Sequence, residues 1–215
     1  MLYISQLILN PCSRQVQSEV CNPYEMHRTL MRAFPTAAQG GPGRVLFRLE
    51  SHIVSGQVGL KVLVQSDREP DWSWLEESSH YLLPGFHPNP ASKVFKPVFR
   101  PGQCLYFRLR ANPTVKRKFP DRDKSKRIGL YKEENQRDWL ARKAEQGGFT
   151  ILDVIVTSEG TISGKTKIRH DLNLIAVRFE GQLQVTDPVT FSDTLERGIG
   201  SGKGLGFGLL SLAQG

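Results

Sequence analysis

Apolar residues recur along this chain with two periods, and the switches between them lay out its elements. Residues 1–9 are aliphatic and end at Asn10-Pro11, which predicts a first strand. Asn22-Pro23 then supplies a helix cap followed by proline at the first helical position, and Met26, Leu30 and Phe34 recur at four-residue steps until Pro35. Beyond the glycines at 40–43, Val45, Phe47 and Leu49 alternate with Arg44, Arg48 and Glu50, and Val58, Leu60, Val62 and Val64 repeat the pattern, giving two more strands. A short helix from near Asp71 and a strand over Val94–Phe99 complete a β-α-β-β-α-β order.

The second half repeats that order. Leu105, Phe107 and Leu109 alternate with Tyr106, Arg108 and Arg110, which predicts a half-buried strand with an aromatic and basic open face. A helix over 131–146 stops at Gly147-Gly148, strands follow at Thr150–Thr157 and Leu172–Val185, a short helix runs from Pro188 to Arg197, and a last strand covers Leu209–Leu212. Two split βαβ units in tandem predict an α+β chain of two ferredoxin-like (βαββαβ) domains, residues 1–99 and 100–215, joined where prolines concentrate.

Composition narrows the class without changing that layout. The 215 residues suffice for one sizeable domain or two small ones, and 39% apolar with 23% charged residues is ordinary for a folded chain. No apolar run approaches the roughly 18–20 residues that cross a bilayer, and the first residues lack the features of a signal peptide, which points to a soluble, cytoplasmic protein with no membrane role. Cys12, Cys21 and Cys104 fit neither a zinc knuckle nor a disulfide framework, and the expectation is no metal and no cofactor.

Charge says more. Lys and Arg outnumber Asp and Glu by 29 to 21, a balance that favours polyanions. Between Arg108 and Lys132 stand ten basic residues against Asp121 and Asp123, among them Arg110, Lys116, Lys126 and Arg127. Such a run is either a solvated loop or a segment that contacts phosphates through counterion release.

Three patterns carry candidate chemistry. Gly198, Gly200, Gly202, Gly204, Gly206 and Gly208 occupy every second position around Lys203, and the spacing matches neither a Walker loop nor a dinucleotide fingerprint. Backbone N–H groups in such a loop approach a nucleic-acid backbone closely. On the first helix Tyr24, His27 and Arg28 stand at i, i+3 and i+4, opposite Met26, Leu30 and Ala33, which puts a solvent-side histidine beside Arg28 and Arg32. With an ordinary pKa near 6.5, an imidazole there suits acid or base work. The run Ser163–His170, with Lys165, Lys167 and Arg169, reads as a basic hairpin arm or as an ordinary exposed hairpin, and His52, His80 and His87 have no companions at metal-ligand spacing. Trp72 and Trp74 read as packing residues.

The residues Asn22 to Leu30, Tyr106 to Pro113, Phe179-Glu180-Gly181 and Arg197 to Ser211 together resemble the CasE family, the CRISPR-associated endoribonucleases of type I-E systems within the repeat-associated (RAMP) superfamily. The matches run in the family's order over the whole chain. The resemblance implies cleavage of precursor CRISPR RNA within the repeat stem-loop, at the 3′ base of the hairpin. It also implies retention of the mature guide RNA in the Cascade complex with other Cascade subunits. It implies metal-independent attack by the ribose 2′-hydroxyl, leaving 2′,3′-cyclic phosphate and 5′-hydroxyl ends. The family's catalytic histidine falls on His27 and its assisting tyrosine on Tyr24; the cationic positions fall on Arg28 and on Arg32, where some relatives have lysine. Lys165, Lys167 and Arg169 match the hairpin that enters the stem-loop's major groove. RNA contacts are expected from these and from Arg108, Arg110, Lys116, Lys126, Arg127, Gly200, Gly202, Lys203 and Gly204. Two other readings stand beside it: a non-catalytic RNA-binding subunit, and a metal-dependent nuclease, for which clustered Asp and Glu are scarce.

Overall fold

The structure is a computed structural model that describes residues 1–54, 57–75, 80–118, 125–165 and 171–214. It divides into two units: Met1–Lys96 with Gly204–Gly206 belong to the first, and Pro97–Ser163, Leu172–Lys203 and Phe207–Gly215 to the second. Each unit holds a four-stranded antiparallel sheet. In the first, β1 (Leu2–Leu9), β2 (Val45–Val54), β3 (Gln57–Ser66) and β4 (Ala91–Phe95) lie in the order β2-β3-β1-β4. In the second, β5 (Cys104–Ala111), β8 (Phe149–Lys165), β9 (Asp171–Val185) and β10 (Leu210–Gln214) lie in the order β10-β5-β9-β8. Both follow the ferredoxin-like strand order, in which the first and third strands are central and neighbours.

The first helical layer is more divided than the sequence pattern predicts. An unforeseen helix α1 (Arg14–Cys21), capped by Ser13, precedes α2 (Pro23–Leu30). Asn22 closes α1 and opens α2: its backbone N–H donates to Ser18 and Glu19 carbonyls while its Oδ1 accepts from the Tyr24 N–H at 3.3 Å. The helix expected to reach Phe34 stops at Leu30 and tightens into a 3-10 turn, Met31–Ala33, because Pro35 forces the residue before it to extended geometry. Met26, Leu30, Ala33 and Phe34 pack on Leu7, Leu9, Phe47, Val62 and Val64, the inward-facing positions of three strands. The helix expected near Asp71 is a single 3-10 turn, Ser73–Leu75, and the strand expected at 94–99 sits earlier, at Ala91–Phe95, because its residues pair with Leu2 to Gln6 of β1.

A buried carboxylate ties α1 to α2. Glu19, 4% exposed, accepts from the Thr29 hydroxyl, the Tyr81 hydroxyl at 2.7 Å and Gln15 Nε2 at 2.8 Å. Burial, followed by the Glu19 carboxylate, drives the Tyr81 hydroxyl far above its ordinary pKa, so Tyr81 is always a donor here. Glu19→Ala strands two buried donors and is expected to cost about 3 kcal/mol, each orphaned group being worth about 1–3 kcal/mol. A urea titration checks this, with Glu19→Gln falling much less.

In the second unit the alternation of β5 is as the sequence pattern predicts: Leu105, Phe107, Leu109 and Ala111 are buried and the residues between them face outward. α3 (Glu133–Gln146) buries Trp139, Leu140 and Ala144, and α4 (Pro188–Arg197), capped by the Asp187 carboxylate, buries Phe191 and Leu195. β8 extends well past Thr157, and the last strand begins one residue later than expected. Between β5 and α3 the basic run contains a two-stranded ribbon, β6 (Thr114–Arg117) and β7 (Lys126–Gly129), where the sequence pattern suggests a loop.

Candidate catalytic helix and basic cleft

α2 presents the candidate catalytic side chains because its cap fixes where the helix begins and its apolar stripe fixes which face points inward. His27 lies on the edge of that stripe. It is half-buried, where a solvent-side residue was expected, and its ring lies beside that of Phe47 of β2, with centroids 6.5 Å apart and planes 22° from parallel. Its Nδ1 is buried and has no hydrogen-bond partner among the described residues. Burial lowers the imidazole's pKa below its ordinary value of 6.5, so the ring is neutral at pH 7.

The cations expected beside His27 have different fates. Tyr24 is half-buried one turn earlier on α2. Arg28 is exposed and pairs with Glu25 at 3.1 Å, a surface pair worth about 0.2–1 kcal/mol. Arg32 is not on the helix: it stands on the 3-10 turn, with its guanidinium 4.0 Å above the Trp74 ring. Trp72 is a core residue whose Nε1 donates to Ser5 Oγ, whereas Trp74 is the platform for Arg32.

The second unit carries a basic cleft of about 620 Å³ between the β6–β7 ribbon, α3, α4 and the glycine loop. It brings together Lys116, Arg127, Gly200 and Lys203 from the sequence candidates and adds Lys143 and Arg197, with Asp193 the one acidic lining residue among the described residues. The ribbon sets Lys116 opposite Arg127 and Arg117 opposite Lys126, like charges in direct cross-strand register. Such pairs destabilise a ribbon in water and are relieved by a polyanion. Gly202 lines an adjoining pocket of about 250 Å³ with Arg127 and Tyr131.

The glycine run is an ordered loop. Ile199 N donates to Gly208 O and Gly208 N to Arg110 O, both at 2.8 Å, which closes its neck and pins it to β5. Gly208 has φ of +86°, and a Cβ there would lie 2.7 Å from the Ile199 carbonyl, so no other residue fits. Lys203 Nζ donates to the Arg197 carbonyl at 2.6 Å. Gly204 does not line the cleft; it belongs to the first unit, against His27.

Arg108 and Arg110 do not join the cleft. On the outward face of β5 they bind Glu180 at 2.6 Å and Glu159 at 2.7 Å, in a lattice completed by Arg178. The reason is register: Arg108 stands directly opposite Glu180 on β9. Lys126 is exposed on β7, next to Arg127. Lys165 ends β8, and Lys167 and Arg169 lie outside the described residues. Among the described residues no three His, Cys, Asp or Glu side chains converge to hold a metal ion, and no helix is long and apolar enough to cross a membrane.

The family model described as CRISPR associated protein matches residues 2–214. The chain belongs to that family. Among curated members, the CRISPR-associated endoribonuclease Cse3 of Thermus thermophilus is 40% identical over 228 residues, spanning 99% of this chain and 100% of the relative. The CRISPR system Cascade subunit CasE of Escherichia coli is 31% identical over 199 residues, spanning 88% and 91%. The solved structure of Thermus thermophilus Cse3 bound to an RNA representing a pre-cleavage complex aligns with a TM-score of 0.81 at 38% identity, covering 99% of this chain and 98% of that one.

In this CRISPR-associated protein the sequence pattern does not mark Phe47 and Trp74 as neighbours of His27 and Arg32, nor Lys143 and Arg197 as lining the cleft. The first two looked like ordinary core residues. Lys143 and Arg197 had a usable signal, since each occupies the last turn of a helix that stops at glycine, but nothing local shows that the two helix ends share a cleft.

Proposed function

We propose that this protein is an endoribonuclease that cuts precursor CRISPR RNA within the repeat stem-loop, needs no metal ion, and stays on the mature guide RNA as a subunit of Cascade in the cytoplasm. Its relatives are named as an endoribonuclease and as a Cascade subunit, and one is solved with RNA before cleavage. In this reading the N-terminal domain, residues 1–99, carries the catalytic helix, and the C-terminal domain, residues 100–215, holds RNA in its basic cleft.

One observation carries the proposal: a half-buried imidazole, kept neutral by desolvation, on a helix that also bears a displaceable arginine. Internal attack by a ribose 2′-hydroxyl needs a base for that proton, a donor for the departing 5′-oxygen and positive charge for the phosphorane-like transition state. Neutral His27 accepts the proton. Arg28 leaves Glu25 for the phosphate, Arg32 adds charge from its Trp74 platform, and Tyr24 donates to the leaving oxygen. None of these roles calls on a metal ligand.

The protein alone, incubated in excess over a labelled repeat hairpin, is expected to cut it in a single turnover. RNA that is bound and left whole would point to the non-catalytic subunit. The pH dependence gives a second check. Because folding lowers the imidazole pKa, the base form dominates above a midpoint below 6.5, and kcat/KM, which reports the free enzyme, should rise through that midpoint and stay flat to pH 8. A profile that falls with pH over the same range would make His27 the acid.

The cleft has its own signature. Replacing Lys116 and Lys143 together by alanine should flatten the plot of log affinity against log salt by about 1–2, since each phosphate contact contributes a slope of roughly 0.7–0.9. Fluorescence anisotropy across a salt series measures it, and cleavage at saturating RNA should stay near wild type.

A further inference from the structure

Catalytic histidines are ordinarily oriented by a hydrogen bond from the second ring nitrogen to a carboxylate or carbonyl. His27 has no such orienting bond among the described residues: Nδ1 is buried without a partner. Something else must hold the ring, and what surrounds it is a nearly parallel neighbouring ring and a glycine over its face. Phe47, 2% exposed and locked in the first unit's core, lies nearly parallel to the imidazole. On Gly204 a Cβ would stand 3.5, 3.7 and 3.9 Å from Cε1, Nδ1 and Nε2, near-equal distances that set the glycine over the ring's face and not its edge. Two residues on, a Cβ at Gly206 would stand 3.2, 3.7 and 3.7 Å from Cε2, Cδ2 and Cζ of Phe47. The alternate-glycine spacing therefore matches the spacing of two rings, with Gly204 laid on the imidazole and Gly206 on the phenyl.

We infer that Phe47 is a positioning residue for His27, and that Gly204 and Gly206 form a side-chain-free lid over the paired rings. Dispersion and shape do here what a hydrogen bond does elsewhere. With Nδ1 walled in, Nε2 is the nitrogen that exchanges protons with RNA. The inference rests on the proposed endoribonuclease reading only for its kinetic half; its structural half concerns the ring alone.

The test combines both. In the intact protein labelled at histidine Cε1, the His27 proton resonance, assigned by its loss in His27→Gln, should be displaced from those of the other four histidines by the Phe47 ring current. In Phe47→Leu, which keeps apolar bulk and removes the aromatic ring, that displacement should vanish. The single-turnover rate at saturating RNA should then fall about tenfold or more, with Kd unchanged within about twofold, since small misplacement of a reacting group costs rate and not binding. Phe47→Tyr, which restores a ring, should recover both. An undisplaced His27 resonance in the wild-type protein overturns the inference whether or not the variants fold. So does folded Phe47→Leu cleaving at the wild-type rate, or a Phe47→Tyr that recovers neither readout. If His27→Ala also cleaves at the wild-type rate, the nuclease reading itself fails; if His27→Ala is inactive and Phe47→Leu is not, only the positioning role is lost.

Discussion

His27→Ala is expected to slow single-turnover cleavage by at least about a hundredfold while leaving RNA affinity within about twofold. Proton transfer by a positioned side chain contributes about 10²–10⁴ to a rate. The imidazole is the one group on α2 whose neutral form at pH 7 can take a proton, because burial holds its pKa below 6.5. Affinity should survive because most of the cations proposed to hold phosphates are off α2, in the cleft lined by Lys116, Arg127, Lys143, Arg197 and Lys203. The fold should survive as well: His27 is only half-buried, and its loss leaves Phe47, Met26 and Leu30 in the core. Rate against protein concentration in the single-turnover regime separates the two effects, and a variant whose Kd rises in step with its loss of rate would make His27 a binding residue.

The second large effect belongs to the substrate. A 2′-deoxy nucleotide immediately before the cut removes the nucleophile itself, so cleavage should stop within detection while binding stays within about twofold, because one ribose hydroxyl is a small part of a contact dominated by phosphates. The same substitution one nucleotide away should do little. A metal-bound hydroxide would behave differently, since a nucleophile drawn from water is indifferent to that ribose. The deoxy substitution therefore distinguishes internal attack from hydrolysis without touching the protein.

The succession of the four sheet strands in each half was legible because the local signals agreed with the global packing. Asn22-Pro23 and Asp187-Pro188 cap their helices as such pairs do anywhere, and β5 alternates cleanly because one face is core and the other is an arginine–glutamate lattice. Helix α1 was overlooked because eight residues give only two turns of apolar signal, Val16 and Val20, and its inward anchor is the charged Glu19, whose partners come from far along the chain. The β6–β7 ribbon was unreadable for the opposite reason. Its strands set like charges across from one another, so pairing contradicts local electrostatics and is decided by the surrounding fold.

At the candidate site, the grouping of residues on α2 was readable and their contacts with other elements were not. His27, Tyr24 and Arg28 share one short helix, so their spacing alone places them together. Phe47 reaches His27 from another strand, and Trp74 reaches Arg32 from a separate turn; a period-two apolar residue and a tryptophan near a short helix carry no mark of those contacts. The expected surface exposure of His27 failed on the same point: the ring beside it comes from β2.

The most direct measurement follows the ends of the cut RNA. A repeat hairpin labelled at either terminus, incubated with the purified protein in EDTA, should yield an upstream fragment ending in a 2′,3′-cyclic phosphate and a downstream fragment beginning with a 5′-hydroxyl, at the rate seen without chelator. Cleavage that stops in EDTA and returns with a divalent cation, or a downstream fragment bearing a 5′-phosphate, would contradict it.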